Sequence, residues 1–355
     1  MKIAIDILTP KQCMFFSKLS EKLESRGHKV LRTTRKYREV NQLLTLKGMD
    51  AKVVGEHGGG NLADKLKVSA QRIFELTTIM NEFKPDVAIS FSSPEMARTA
   101  YGLGIPHACI NDSPHAEAVA RLTVPLSTKL LTPKIIPKKA WTKYGISPDK
   151  IVQYNALDPW VWLKDFKPDH RIIGQLRLDQ SKPIVTFRTE ETFASYLLGR
   201  SPAESTIIPL IKQILKKRSD IQVVAVPRYE EQKKTFLEVF GDTITICESV
   251  VDGSSLLSYS SLFVGGGGTM TTESALLGVP TFSCYPSEPF LMLKYLVKNK
   301  LVSLERNPVK LLKKILLTLN NLETVRKTQS ERIQRLVKDF EDPIEVIVKE
   351  VEKLD

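Results

Sequence analysis

Short apolar runs alternate with longer stretches in which apolar positions recur every three or four residues, and this alternation organises the chain from its first residues. KIAIDIL predicts a buried strand, FFSKLSEKLESRG an amphipathic helix and HKVLRTT a second strand. Gly27 stands where that helix must end, since glycine adopts the left-handed conformation of a helix C-terminus at little steric cost. EVNQLLTLKG and AKVVGEHG predict the next helix and strand. DKLKVSAQRIFELTTIMNEFKPD then predicts a long helix leading into VAISF, and ARTAYGLG leads into PHACIND. Buried strands alternating with helices predict a parallel sheet covered on both faces.

After residue 125, prolines divide LTPKIIPKKAWTKYGISPDKIVQYNALDPWVWL into short pieces, which read as the end of a first domain and its connection to the next. Trp141, Trp160 and Trp162 in this stretch are assigned to packing. A second alternating series follows: strand PIVTFR, helix STIIPLIKQILKKRSD, strand IQVVAVPR, helix EEQKKTFLEVF and strand TITICE. From Pro308 the chain reads as helical, with Pro343 dividing the last two helices. The expectation is an α/β protein of two Rossmann-like lobes with parallel sheets and an interlobe cleft. The first lobe spans 1–165, the second 166–342, and a last helix occupies 343–355. Ligands of such sheets lie at the C-terminal ends of the strands.

The densest punctuation is in DGSSLLSYSSLFVGGGGTMTTESALLGVPTFSCYP. Gly265, Gly266, Gly267 and Gly268 follow an apolar strand and precede Thr269, Thr271, Thr272 and Glu273 at a helix start. Residues without Cβ let backbone approach a ligand, and free N–H groups at a helix start favour a diphosphate. The spacing is neither GxGxxG nor that of a P-loop. Glu273 is assigned to the hydroxyls of a ribose, against the simpler role of a carboxylate that caps the helix or favours its dipole.

Composition narrows the class without naming a ligand. The 355 residues, 42% apolar and 26% charged, suit about two globular domains. The 52 Lys and Arg against 40 Asp and Glu give a formal +12, which favours phosphates or an anionic surface. No zinc spacing, RNA-binding signature or concentrated basic arm points to specific nucleic-acid binding. Cys13, Cys109, Cys247 and Cys284 are widely spaced, which fits a reducing compartment and supplies neither a disulfide framework nor a metal site. With Asp6 inside the opening apolar run, a cytoplasmic location is expected. KLLTPKIIPKKAWTK, with five lysines among aliphatic residues and Trp, is the candidate for peripheral contact at the inner face of the membrane, or else a solvated loop.

VGGGGTMTTESALLGVP and RGHKV, with the two-lobe layout, resemble glycosyltransferases of the GT-B fold and their relatives, the non-hydrolysing UDP-N-acetylglucosamine 2-epimerases. FKPDVAISFSSPEMARTAYGLGIP, INDSPHAEAVARLTVPLSTKLLTP, VDGSSLLSYSSLFVGGGGTM and TESALLGVPTFS are similar to the mainly archaeal domain-of-unknown-function family 354 over nearly the whole chain. The resemblance implies a GT-B-like fold with a nucleotide half-site around Gly265 to Glu273 and an acceptor or catalytic half-site in the first lobe. It also implies a terminal helix that packs back on the first lobe. One departure is TPKQCMFF, where Gln12 and Cys13 precede Phe15 and Phe16 in place of a histidine, which puts a base in that loop in doubt.

Glu95 follows VAISF, while Asp112 and His115 follow the next strand, so both loops open on one sheet edge. His115 is suited to proton transfer and Asp112 to assisting it, although Asp112 and Glu95 also have ordinary roles at helix starts. Arg188 and Arg228, which follow second-lobe strands, are candidate phosphate partners. Three functions stay open. The main expectation is transfer of a sugar from a nucleoside-diphosphate sugar, UDP-linked in the similar epimerases, to a glycan, lipid or small-molecule acceptor. The second is 2-epimerisation with Glu95, Asp112 and Glu117 as the carboxylates. The third is noncatalytic nucleotide-sugar binding. None requires a cofactor. His57 with Gly58, Gly59 and Gly60 reads as a loop able to close over substrate or as a surface turn, and His28 as structural.

Overall fold

The computed structural model describes residues 1–189 and 206–354. The chain divides into two compact units, Met1–Trp162 with the segment from Phe340 onward, and Leu163–Asp339.

The first unit is built on seven parallel strands, β1 (Lys2–Ile7), β2 (Lys29–Lys36), β3 (Lys52–Glu56), β4 (Val87–Ser90), β5 (His107–Ile110), β6 (Lys129–Pro133) and β7 (Ile151–Tyr154), in the order β3-β2-β1-β4-β5-β6-β7. β4 and β5 are buried along their whole length, as expected for the centre of a sheet covered on both faces. The helix Pro10–Ser25 starts at Thr9, whose hydroxyl accepts from Gln12 N, and Gly27 leaves it at φ 82°. β6 and β7 occupy the stretch that the sequence pattern assigns to a connection. They are short, and Pro133 ends β6, so neither shows a clear period. The strand Val302–Leu304, interrupted by Ser303, also escapes the pattern.

The same segment corrects a surface expectation. In KLLTPKIIPKKAWTK, Leu130, Leu131, Ile136 and Trp141 are fully buried, so the apolar residues face the core and are not offered to a membrane. The last helix, Pro343–Val351, belongs to the first unit. It buries Ile344, Ile347, Val348 and Val351, and Lys22–Glu345 (2.5 Å), Arg26–Glu352 (2.8 Å) and Lys129–Glu350 (2.5 Å) fix its polar side. His28 lies 3.0 Å from Glu352, a structural setting.

The second unit holds β8 (Ile184–Arg188), β9 (Gln222–Val226), β10 (Thr245–Ile246), β11 (Leu262–Gly265), β12 (Thr281–Ser283) and β13 (Val302–Leu304), all parallel, in the order β10-β9-β8-β11-β12-β13. The helix Ile207–Lys217 buries Ile207, Leu210, Ile211 and Ile214, a single stripe at three- and four-residue spacing. These side chains join Phe187, Val223, Phe236, Val264 and Ile315 in one core. Among the described residues, no helix is long and apolar enough to cross a membrane.

Candidate functional site

In the first unit the strand order reverses between β1 and β4, so the loops that follow them part at their C-terminal ends and leave a crevice. Gln12 ties those loops together: its Oε1 accepts from Leu8 N at 2.6 Å and its Nε2 donates to Phe91 O at 3.1 Å. The departure from the family pattern at this position is therefore a structural brace. Next to it, Lys11 in the first helical turn lies over the Phe91 ring, 4.2 Å from its centroid. The Lys11 ammonium donates to Asp112 Oδ2 at 2.5 Å and to Asp158 Oδ2 at 2.6 Å. Ser113 Oγ donates to Asp112 Oδ1 at 2.8 Å, and Tyr154 OH donates to Asp158 Oδ1 at 2.5 Å.

Two carboxylates thus share one ammonium, and burial separates their behaviour. Burial pushes Asp158, which has no solvent exposure, up to about 6, with the Asp112 charge adding to the effect and Lys11 opposing it. Burial also raises Asp112, but the charge and hydrogen bond of Lys11 outweigh it and hold that carboxyl below its ordinary value. Burial would lower Lys11, yet the two carboxylates keep it above its usual range. Tyr154 is pushed well up by burial and by Asp158. A carboxyl that exchanges its proton near neutrality, beside a fixed carboxylate and a cation, is equipped for general acid–base work.

A second network stands on the other side of β1. Asp6, wholly buried, receives Arg72 through two bonds of 2.6 and 3.0 Å and Thr33 Oγ1 at 2.8 Å, while Arg72 Nε donates to Val54 O at 2.9 Å. Glu95 belongs here: it accepts from Ser69 at 2.8 Å and Ser93 at 3.3 Å and lies 3.8 Å from Arg72. Ser93 caps the helix Pro94–Gly102 by accepting from Met96 N, and Glu95 stands in its first turn, as the sequence allows. Asp112 caps no helix, since the next one, Glu117–Thr123, has Ala116 at its N-cap.

The structure therefore separates the sequence-derived trio. Asp112 sits in the lysine cluster and Glu95 in the arginine network. His115 is exposed on the Asp112 loop, where desolvation by its surroundings lowers its titration and the Asp112 charge opposes that. Glu117 is exposed and bonded to Arg121 at 2.6 and 2.9 Å. His57 stacks on Tyr37 at 5.1 Å. Burial pushes the thiols of Cys13 and Cys247 up to about 12, which removes both as nucleophiles at neutral pH. Lys11, Asp158, Tyr154, Asp6 and Arg72 escaped sequence reasoning. The available signal was charge in and just after the first strand, in DILTPK.

In the second unit the corresponding reversal lies between β8 and β11. Gly265 ends β11, where a Cβ would meet the Phe263 ring at 2.9 Å. Gly267 and Gly268 have φ of 94° and 91°, and Gly268 forms the N-cap of the helix Thr269–Leu276, so the cap residue brings no side chain to the helix-start N–H groups. A Cβ at Gly268 would stand 3.4 Å from Arg228 Nη2, so that guanidinium lies over the turn. Thr189 O accepts from Arg228 Nε at 3.2 Å, and Arg188 reaches Pro227 O at 2.9 Å. Thr271 Oγ1 is buried without a hydrogen-bond partner. Glu273 is buried on the second turn and accepts from Ser254 Oγ at 3.0 Å. It does not cap the helix.

The model of the family described as Protein of unknown function (DUF354) matches residues 1–354. The chain belongs to that family. Like this DUF354 chain, uncharacterized protein MJ0665 of Methanocaldococcus jannaschii has a related sequence, 33% identical over 304 residues that cover 84% of this chain and 86% of the relative. The DUF354 fold is also that of the M. jannaschii UDP-GlcNAc 2-epimerase solved with UDP-GlcNAc and UDP, at a TM-score of 0.72 and 17% identity over 90% of this chain and 93% of the other. Spinosyn forosaminyltransferase SpnP matches at a TM-score of 0.66 and 14% identity over 100% and 99%. At such identities the likeness establishes architecture: two parallel-sheet lobes of the GT-B type.

Proposed function

We propose that this protein is a nucleotide-sugar enzyme of the UDP-N-acetylglucosamine 2-epimerase type, with the second unit holding the nucleoside diphosphate and the first carrying the proton chemistry. The observation that carries this reading is the pair of carboxylates sharing Lys11, one ionised and one titrating near neutrality. Epimerisation at C2 needs a group that takes the C2 proton as the C1–O bond to UDP breaks, and a group that returns a proton to the opposite face as UDP adds back. No acceptor enters that balance. A partly buried cluster that exchanges protons suits it more closely than the exposed His115 suits the activation of an acceptor hydroxyl.

In this reading the glycine turn and the N–H groups at Thr269–Thr271, ahead of the first intrahelical bond from Thr272 N to Gly268 O, receive the diphosphate, with Thr271 Oγ1 and Arg228 beside it, and Glu273 holds the ribose. Arg188 keeps the adjoining β9 loop in place through Val226 and Pro227. The fold shared with the M. jannaschii epimerase supports this choice over the sugar transfer expected first from the sequence. Incubation with UDP-N-acetylglucosamine alone, followed by separation of the C2 epimers, tests it. Conversion without acceptor is expected, and UDP release that begins only on adding a glycan or lipid acceptor would favour transfer.

A further inference from the structure

Arg35 lies in β2 where the pairing with β3 loses register: Thr34 pairs with Val53 and Lys36 with Glu56, so Arg35 alone faces Val54 and Gly55. Such bulges re-aim side chains at sheet edges and near sites. Gly55 accommodates the bulge at φ 66°, with the Arg72 side chain 3.2 Å from where its Cβ would be. The bulge also turns the Val54 carbonyl onto Arg72 Nε.

The charges around Arg35 come from Glu95, Arg72 and Asp6. The donors of Arg72 are used by Asp6 and Val54, and the oxygens of Glu95 by Ser69 and Ser93. Arg35 differs from them. Its Nε is buried with no hydrogen-bond partner, and its guanidinium makes no ion pair with a described residue. A buried unsatisfied donor on a cation costs stability, and its natural complement is a planar or tetrahedral oxyanion that takes two N–H bonds at once. Lys36 and Arg38 flank it in sequence and add positive potential.

We propose that Arg35 is the recognition group of an anion subsite at the C-terminal edge of the first sheet, and that the ligand of this lobe carries a carboxylate or phosphate in addition to any diphosphate held by the second unit. The nucleotide-sugar reading supplies the rest of that ligand, but the subsite does not depend on it.

Calorimetric titration of the full chain with glucose, glucuronate and glucose 6-phosphate, and with UDP-glucose against UDP-glucuronate, tests the subsite. The wild type is expected to bind at least one acid some tenfold tighter than glucose, and the tighter of the two acids identifies carboxylate or phosphate. Arg35→Gln should abolish the preference and Arg35→Lys should restore part of it. Equal affinity for charged and neutral sugars, or a preference that survives in Arg35→Gln, overturns the proposal. Acid preference among the free sugars without any UDP binding would remove the nucleotide reading and leave the subsite standing. Ligand-free Arg35→Met should melt at the same or a higher temperature. A lowered midpoint would mark Arg35 as a structural counter-ion and overturn the proposal.

Discussion

Lys11 Nζ lies 2.6 Å from Asp158 Oδ2, joining the first turn of the first helix to the loop after β7 across 147 residues of sequence. The same ammonium holds Asp112 at 2.5 Å, so three loops of the first sheet converge on one charge.

Asp158, pushed up to about 6, keeps its proton in the folded protein over a range in which the unfolded chain has released it. Its contribution to stability is therefore complete below an ordinary carboxylate value near 4 and is lost as pH rises through about 6. His107, buried between Ser90 and Ser127 and pushed down to about 4, acts oppositely in this window, since the unfolded chain binds a proton that the folded one refuses. The useful quantity is thus the difference between wild type and Asp158→Asn. That difference should move against the wild type by about 2 kcal/mol between pH 4.5 and 7.5 in urea unfolding. A difference independent of pH would place the titrating group elsewhere.

Lys11→Met leaves Asp112 and Asp158 facing each other without a cation. It should cost about 3 kcal/mol at pH 8, the scale for breaking a buried ion pair, and less at pH 5, where a carboxyl regains its proton. Denaturation at the two pH values reads this directly. An equal loss at both would mean that packing of the lysine stem, not charge, is what the site loses.

The sequence made some of this visible and hid the rest for physical reasons. The turn at Gly265–Gly268 was legible because four residues without side chains between a strand and a helix have few other uses. The central strands were legible because each is a continuous apolar run. β6, β7 and β13 were not, because Thr132 and Pro133 break the apolar run in β6, Gln153 in β7 and Ser303 in β13. Lys11 reads locally as a solvated lysine in a first helical turn, and its partners lie 101 and 147 residues away, a distance no periodicity bridges. Glu95 and Asp112 both stand out in the sequence, but adjacency of their loops does not reveal that they lie in separate networks.

Gly268 at φ 91° and ψ −167° occupies a region reserved for glycine. Gly268→Ala should therefore destabilise the protein by about 1 to 3 kcal/mol and crowd Arg228, weakening UDP binding with it. Thermal melts and UDP titration together check both effects. Unchanged UDP affinity would separate the turn from the diphosphate.

Glu273→Ala should weaken UDP binding by about 1.5 to 3 kcal/mol, the range for hydrogen bonds to a charged group. The Ser254 hydroxyl donates to Glu273 at 3.0 Å, so the variant also loses that bond and its folding is checked beside its affinity. Near-UV circular dichroism verifies folding, and equal affinity for UDP in a folded variant would assign the carboxylate to the helix pair alone.

Proton exchange at the sugar is the most direct measure of the central claim. In D2O, with UDP-N-acetylglucosamine as the sole substrate, the wild type should place deuterium at C2 and yield both C2 epimers, and Asp158→Asn should slow that incorporation by on the order of a hundredfold, the scale of general acid–base catalysis. A protein that binds the nucleotide sugar but leaves C2 without deuterium would contradict the account.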